Sequence, residues 1–233
     1  MSVQPRRAST ASETDTVRLS GVGFGYADGP EVLRDINLNL PSGSFHFLTG
    51  PSGAGKSTLL RLLTLAERPT AGRLELFGED AGEAPRAAMP AFRRRMGVVF
   101  QEFRLLDHLS AFDNVALPLR LSGARNYEQD VREMLEWVGL GARADDRPAV
   151  LSGGEKQRLA IARAVVTRPE LIIADEPTGS VDARMAERLL KLFQSMNRLG
   201  VTVLIASHDQ SLAERSGAGV LRLEGGVLEG ASA

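Results

Sequence analysis

Along this chain, short apolar runs alternate with stretches whose apolar residues recur every three or four positions. "FHFLTG" from Phe45 is the first clear run, followed by a glycine-rich turn and the helical pattern "KSTLLRLLTL". "RLELFG" from Arg73 and "GVVFQ" from Gly97 are further strand-like runs. "ELIIADE" from Glu170 and "GVTVLIASHD" from Gly200 stay largely apolar until they end in polar groups. Runs apolar on both faces predict a parallel sheet covered by helices. Polar groups at the carboxyl ends of such strands lie where open α/β sheets bind ligands.

Between about Glu102 and Val150 no strand-like run occurs. There "RNYEQDVREMLEWVGLG" places Tyr127, Val131, Met134, Leu135 and Val138 on one helical face, with Gly139 and Gly141 as a stop. The pattern predicts a helical subdomain, about residues 102–157, inserted into the α/β core. "DARMAERLLKLFQSMNRLG" is a second amphipathic helix, with Asp182 at its N-cap and a stripe of Met185, Leu189, Leu192, Phe193 and Met196 for core packing. The opening "MSVQPRRASTASETDT" is small and polar, and residues 1–16 read as a disordered tail. Its Arg6 and Arg7 suit either solvent or anionic lipid.

Composition narrows the picture only slightly. The 233 residues suffice for one large domain or a core with a smaller subdomain. Charges balance at 28 basic and 29 acidic, which gives no long-range pull toward nucleic acid. No cysteine is present, so disulfides and thiolate chemistry are excluded. His46, His108 and His208 do not fall at short metal-ligand spacing. No apolar run is long enough to span a bilayer.

The chemistry is concentrated at strand ends. "GPSGAGKST" matches the phosphate-binding loop pattern at Gly50, Gly55, Lys56 and Ser57, after a strand and opening a helix. Glycines let the backbone of Gly50, Pro51, Ser52, Gly53, Ala54 and Gly55 bend so that its amides converge on phosphates. Lys56 supplies charge to the β and γ oxygens, the Ser57 hydroxyl suits Mg²⁺, and Thr58 completes the motif. Asp175, at the end of an apolar run, suits the metal. Its neighbour Glu176 suits activation of an attacking water. Two adjacent acids there repel each other unless a cation compensates them. His208 ends the next strand, placed to hydrogen-bond a γ-phosphate. Gln101, with donor and acceptor groups, suits either the metal or the water.

A second phosphate cradle follows. In "LSGGEKQRLAIARAVV", two glycines precede a helix whose bare N-terminal amides suit an anion, and Glu155 in its first turn suits the dipole. One chain with two cradles needs an explanation. The order "GPSGAGKST", Gln101, "LSGGEKQR", "LIIADE", "SVD" and His208 resembles the ATPase subunits of the ABC family, over nearly the whole chain after the tail. Soluble P-loop kinases have no "LSGGEKQR".

The resemblance implies an ABC-type domain over residues 17–233, with a mostly parallel core sheet, an antiparallel β subdomain and the inserted helices. It implies ATP and Mg²⁺, and Tyr26 as the adenine-stacking aromatic with Phe24 its competitor. It also implies a homodimer in which Ser152, Gly153 and Gly154 touch the partner's nucleotide. Asp182, in "SVD", would cross that interface or serve only as a cap.

Within the family, "VVFQEFRLLDHLSAFDNVALPL" and "DEPTGSVDARMAERLLKLFQSMNRLGVTVLIASHD" look like the FtsE-type cell-division branch. That branch implies an integral membrane partner of FtsX type at the cytoplasmic face and coordination with the division ring. Lipoprotein-release and macrolide-type exporters share several of the same motifs and form the alternative. The partner's groove is expected near Gln101 to Leu119, with Leu105, Leu106, Leu109 and Phe112 lining it or filling the subdomain's own core. The run Arg93, Arg94 and Arg95 reads as a solvated helix face.

Overall fold

The computed structural model describes residues 15–27 and 29–229, so the expected tail up to residue 14 lies outside the described residues. Its last two residues do not belong to a tail. Strand β1 begins at Asp15, and the Thr16 hydroxyl shares a 2.8 Å hydrogen bond with Thr202 in the core.

In chain order the elements are β1 (Asp15–Gly25), β2 (Glu31–Pro41), β3 (Phe45–Thr49), α1 (Lys56–Leu63), β4 (Ala71–Leu76), β5 (Glu79–Asp80), α2 (Met89–Arg94), β6 (Met96–Val99), α3 (Ala111–Leu121), α4 (Glu128–Trp137), α5 (Gly153–Val165), β7 (Leu171–Asp175), α6 (Ala183–Arg198), β8 (Thr202–Ala206), α7 (Gln210–Ser216), β9 (Gly219–Glu224) and β10 (Val227–Glu229). They build two sheets. The larger has the order β10-β9-β3-β8-β7-β6, parallel except for the β9–β10 hairpin. The smaller is antiparallel, in the order β2-β1-β4-β5.

Alternation along the central strands explains the layers. Leu48, Leu171, Ile173, Leu204 and Ala206 face one core, shared with α1 and the antiparallel sheet. Phe47, Ile172, Ala174, Val203 and Ile205 face the other, shared with α5 and α6. Successive strand residues point to opposite faces, so an uninterrupted apolar run buries both. Asp182 caps α6 as expected, accepting from the Met185 amide at 2.9 Å.

The inserted helices form a third core around Val115, Val131, Leu135, Val138, Leu140 and Leu151. Helix α5 joins this core to the sheet. Its Ile161 and Val165 pack on the sheet side, while Leu159, Ala162 and Val166, one residue beyond its end, pack against α3 and α4. From Leu159 onward the helix is apolar on most sides, Arg163 excepted, as a segment buried between layers requires. Beside it, a Cβ on Gly97 of β6 would lie 2.2 Å from the Ala164 carbonyl, so only glycine permits that approach.

The arginine run is not one solvated face. Arg95 forms a two-pronged pair with Glu170, at 2.6 and 2.8 Å, and lies over the Phe77 ring. Arg93 and Arg94 are both exposed, and Arg93 donates to the Leu65 carbonyl at 2.8 Å.

Candidate functional site

The carboxyl ends of β3, β6, β7 and β8 open onto one cavity of about 760 Å³. Ser52, Gly53, Gly55, Lys56, Ser57, Thr58, Gln101, Asp175, Glu176 and His208 line it. Four segments scattered over more than 150 residues thus meet at one place, because parallel pairing brings their strand ends side by side.

The loop before α1 is shaped by its glycines. Gly50 has φ 146°, and a Cβ there would lie 2.1 Å from the Leu223 carbonyl. Only a residue without a side chain takes that turn against β9. Pro51 and Ser52 are exposed on the loop, and Ala54 is buried beneath it. The Lys56 ammonium folds onto the loop, donating to the carbonyls of Gly50 at 2.7 Å and Pro51 at 3.1 Å. It holds the loop's curvature and stays within reach of the cavity.

Across from the loop, the Ser57 hydroxyl donates to Asp175 Oδ2 at 3.1 Å. Burial pushes the Asp175 carboxyl above its ordinary range; the Ser57 hydrogen bond opposes this, the Glu176 charge adds to it, and Lys56 opposes it. A carboxylate held against its own ionisation, beside a hydroxyl and near Gln101, fits a hard divalent cation. Such a group stabilises the fold when protonated, and that stability is lost as pH rises through its raised folded pKa. Asp175→Asn is therefore expected to raise the melting midpoint of the nucleotide-free chain at neutral pH. The gain should vanish in acid below the ordinary carboxylate range. Calorimetry across pH checks this, and a lowered neutral midpoint would contradict it.

Glu176 follows immediately in a left-handed conformation, φ 48°, with its amide bonded to the Ala206 carbonyl at 2.9 Å. Non-glycine residues adopt this backbone at a cost, and such strain marks sites that must aim a side chain. The Glu176 carboxylate accepts from the His208 amide at 3.0 Å and lies 2.9 Å from its Nδ1. The His208 ring is 77% exposed, with Nδ1 the ring nitrogen on the Glu176 side.

The second cradle is built differently. Ser152 caps α5 in a reciprocal box. Its hydroxyl accepts from the Glu155 amide at 3.3 Å, and the Glu155 carboxylate accepts from the Ser152 amide at 2.8 Å. Those hydrogen bonds to Ser152 hold the Glu155 carboxyl below its ordinary range, with Arg143 and Arg158 adding to the effect. Ser152 and Gly154 do not line the large cavity. They line a separate crevice of about 290 Å³ with Ser180, Val181, Asp182 and Met185. Gly153 has open space where a Cβ would stand. Two cradles in one chain thus face two different spaces, with Ser180 on the wall of both.

Tyr26 is not part of the cavity wall. It is 45% exposed beyond β1, its ring edge-on to the buried Phe24 at 4.9 Å, while Val32 lines the cavity. The expected groove between core and helical subdomain exists, at about 490 Å³, but Leu105, Leu106, Leu109 and Phe112 do not line it. Leu105 and Phe112 pack against the subdomain's own core, and the Asn114 side chain ties the loop at Leu106, Leu109 and Ser110. The groove is lined instead by Phe100, Arg104, Leu117, Pro118, Leu121 and Arg163 with residues of the core.

Sequence reading missed Arg163 and Gln157. Arg163, in α5, donates to the carbonyls of Phe103 at 2.8 Å and Arg104 at 2.6 Å, two consecutive left-handed residues just after Gln101. Gln157, also in α5, lines the large cavity. The available signal was Gln157 four and eight residues before the sheet-facing Ile161 and Val165, and Arg163 as a lone charge in the stretch from Leu159 to Val165.

Residues 33–179 match the family described as "ABC transporter". This chain belongs to that family. It is an ABC-type ATPase, converting ATP and water to ADP and phosphate. The chain is 43% identical over 216 residues to the cell division ATP-binding protein FtsE of Escherichia coli K12, covering 92% of this chain and 97% of FtsE. It is 41% identical to the macrolide export ATP-binding/permease protein MacB of Syntrophobacter fumaroxidans, covering 88% of this chain but 29% of MacB. A dimeric ATP-binding cassette solved in a post-hydrolysis state, bound to ADP and Pi, superposes with a TM-score of 0.87. Its identity is 34%, over 92% of this chain and 97% of that one. The cassette's expected architecture, a mostly parallel core with an antiparallel sheet and helical insertion, is the one found.

Proposed function

We propose that this cassette is the ATP-driven component of an FtsEX-like complex in bacterial cell division. The observation that carries the reading is the match to FtsE over nearly all of both chains; the exporter MacB is matched over less than a third of its length. The cassette docks on an integral membrane protein of FtsX type at the cytoplasmic face. Among the described residues no helix is long and apolar enough to cross a membrane.

In this reading the 760 Å³ cavity takes ATP with Mg²⁺. The loop amides from Ser52 to Ser57 and Lys56 bind the β and γ phosphates. Ser57 and Asp175, with Gln101, hold the Mg²⁺, which neutralises phosphate charge when bound. Glu176 removes a proton from the attacking water, and His208 fixes that carboxylate through Nδ1 while its Nε2 faces the γ-phosphate. Two copies meet head to tail, so that Ser152, Gly153 and Gly154 close on the partner's ATP. The separate facing of the two cradles within one chain supports this, as does the dimeric cassette among the solved relatives. Loss of the γ-phosphate removes the shared anion and lets the halves part. Tyr26, exposed just beyond β1 and outside the cavity wall, is the candidate adenine platform.

The groove holding Leu121, which is 72% exposed, is where the membrane partner docks. Leu121→Asp should leave the lone chain's ATP turnover unchanged and abolish co-purification with the membrane partner. Retained capture would remove this groove. The wider reading is tested by pulling down the Glu176→Gln chain with ATP from membranes of the native host. An FtsX-type membrane protein supports it; an exporter permease or lipoprotein carrier overturns it.

A further inference from the structure

Helix α5 carries a buried amide that the hydrolysis mechanism does not use. Gln157 is 1% exposed, lines the nucleotide cavity with Gln101, Asp175 and Glu176, and its Nε2 has no hydrogen-bond partner. Buried polar groups are ordinarily satisfied, as Asn114 is here through four hydrogen bonds. Ser44 Oγ and His46 Nδ1 share the unpaired state, but neither lines this cavity. An unpaired donor on a ligand cavity is matched by an acceptor that arrives with the ligand.

Its place on α5 gives that donor a consequence. Gly153, Gln157, Ile161 and Val165 follow one another at i, i+4 spacing, on one face of the helix. Ile161 and Val165 anchor the row in the sheet core, Gln157 reaches the chain's own nucleotide cavity, and Gly153 belongs to the cradle for the partner's. One helical turn, about 5.4 Å, separates the last two, and a packed helix moves as a rigid element.

We infer that Gln157 is a positioning residue through which a cassette's own ATP sets the pose of the cradle it offers to the partner's ATP. The acceptor is the Gln101 side-chain carbonyl, drawn in when nucleotide binds; Nε2 itself is closed off from the cavity, so no direct bond to ATP is involved. The inference rests on the head-to-tail assembly proposed above. It makes the two ATP sites cooperative through α5 rather than through the interface alone.

Gln157→Leu keeps most of the side chain's bulk, at slightly shorter reach, and removes the amide. In the full chain the expected results are an unchanged or raised melting midpoint and ATP binding to the lone chain within about twofold of the parent. The turnover number should fall about tenfold, and the Hill coefficient for ATP should drop toward one. A purely structural glutamine would leave turnover and cooperativity at parental values when replaced by leucine, and that result overturns the inference. Should the leucine chain fail to fold, the side-chain amide resonance of Gln157 is followed in the ¹⁵N-labelled Glu176→Gln chain, at concentrations where it is monomeric. The resonance should move when ATP and Mg²⁺ are added, and an unmoved resonance overturns the inference. Dimerisation of that same chain by ATP is scored separately. Its absence defeats the head-to-tail assembly, whereas a normal dimer with an unmoved resonance defeats only the role of Gln157.

Discussion

Glu176→Gln should hydrolyse ATP some 10²- to 10⁴-fold more slowly than the parent while binding it at least as tightly, the range expected for loss of a general base. The substitution keeps the side chain's length and its acceptor oxygen, so the amide and Nδ1 of His208 retain their partner at about the present geometry. Only the basic oxygen and its charge are lost. The groups that grip phosphate, the loop amides and Lys56, are untouched. Removing one of two adjacent negative charges also relieves the repulsion that bears on Asp175. The nucleotide-bound state should therefore persist, and with it the ATP-dependent dimer. Phosphate release and light scattering, measured on the same sample, check both halves. Parental turnover would show that another group takes the proton.

Gly154→Asp, placed in that slow background, should abolish the dimer without emptying the ATP site. Gly154 sits in the first turn of α5, remote from the chain's own phosphate loop, in the crevice with Ser180 and Asp182. In the proposed head-to-tail dimer a carboxylate there would meet the partner's triphosphate. Two unit charges about 4 Å apart at an effective dielectric near 20 repel by about 4 kcal/mol. That corresponds to roughly a thousandfold weaker dimerisation. Gly154→Ala is the steric control, since a Cβ would lie 3.2 Å from the Ser180 carbonyl and the neighbour must give slightly. Alanine should cost far less than aspartate. Equilibrium dialysis for ATP and sedimentation for the dimer separate the two quantities. Loss of ATP binding together with the dimer would mean that both cradles serve one nucleotide within a chain.

Much of the site was legible because its chemistry is local in sequence. The loop from Gly50 to Thr58 needs closely spaced glycines and a lysine, and Asp175 and Glu176 stand at the end of an apolar strand. Other features depend on segments far apart. The pairing of Arg95 with Glu170 spans 75 residues and takes Arg95 out of the solvated face expected for the arginine run, while Arg93 and Arg94 stay exposed. The groove moved from Leu105, Leu106, Leu109 and Phe112 to Leu117, Pro118 and Leu121, because an apolar loop residue can fill its own subdomain or face a neighbour. Periodicity reports that a side chain leaves water, without reporting where it goes. Tyr26 stayed outside the cavity wall for a related reason: the turn after β1, not the residue type, sets the direction of its ring.

By itself, then, the order of residues determined the strand and helix pattern, the phosphate loop, the acidic pair and the second helix-end cradle. Each of these is a matter of backbone geometry and side-chain period over a few neighbouring positions. Tertiary structure alone decided that four strand ends converge on one cavity, that the second cradle opens onto a separate crevice beside it, and that α5 reaches both. Those facts follow from how the sheet pairs and which faces pack, and such contacts join residues that no local pattern connects.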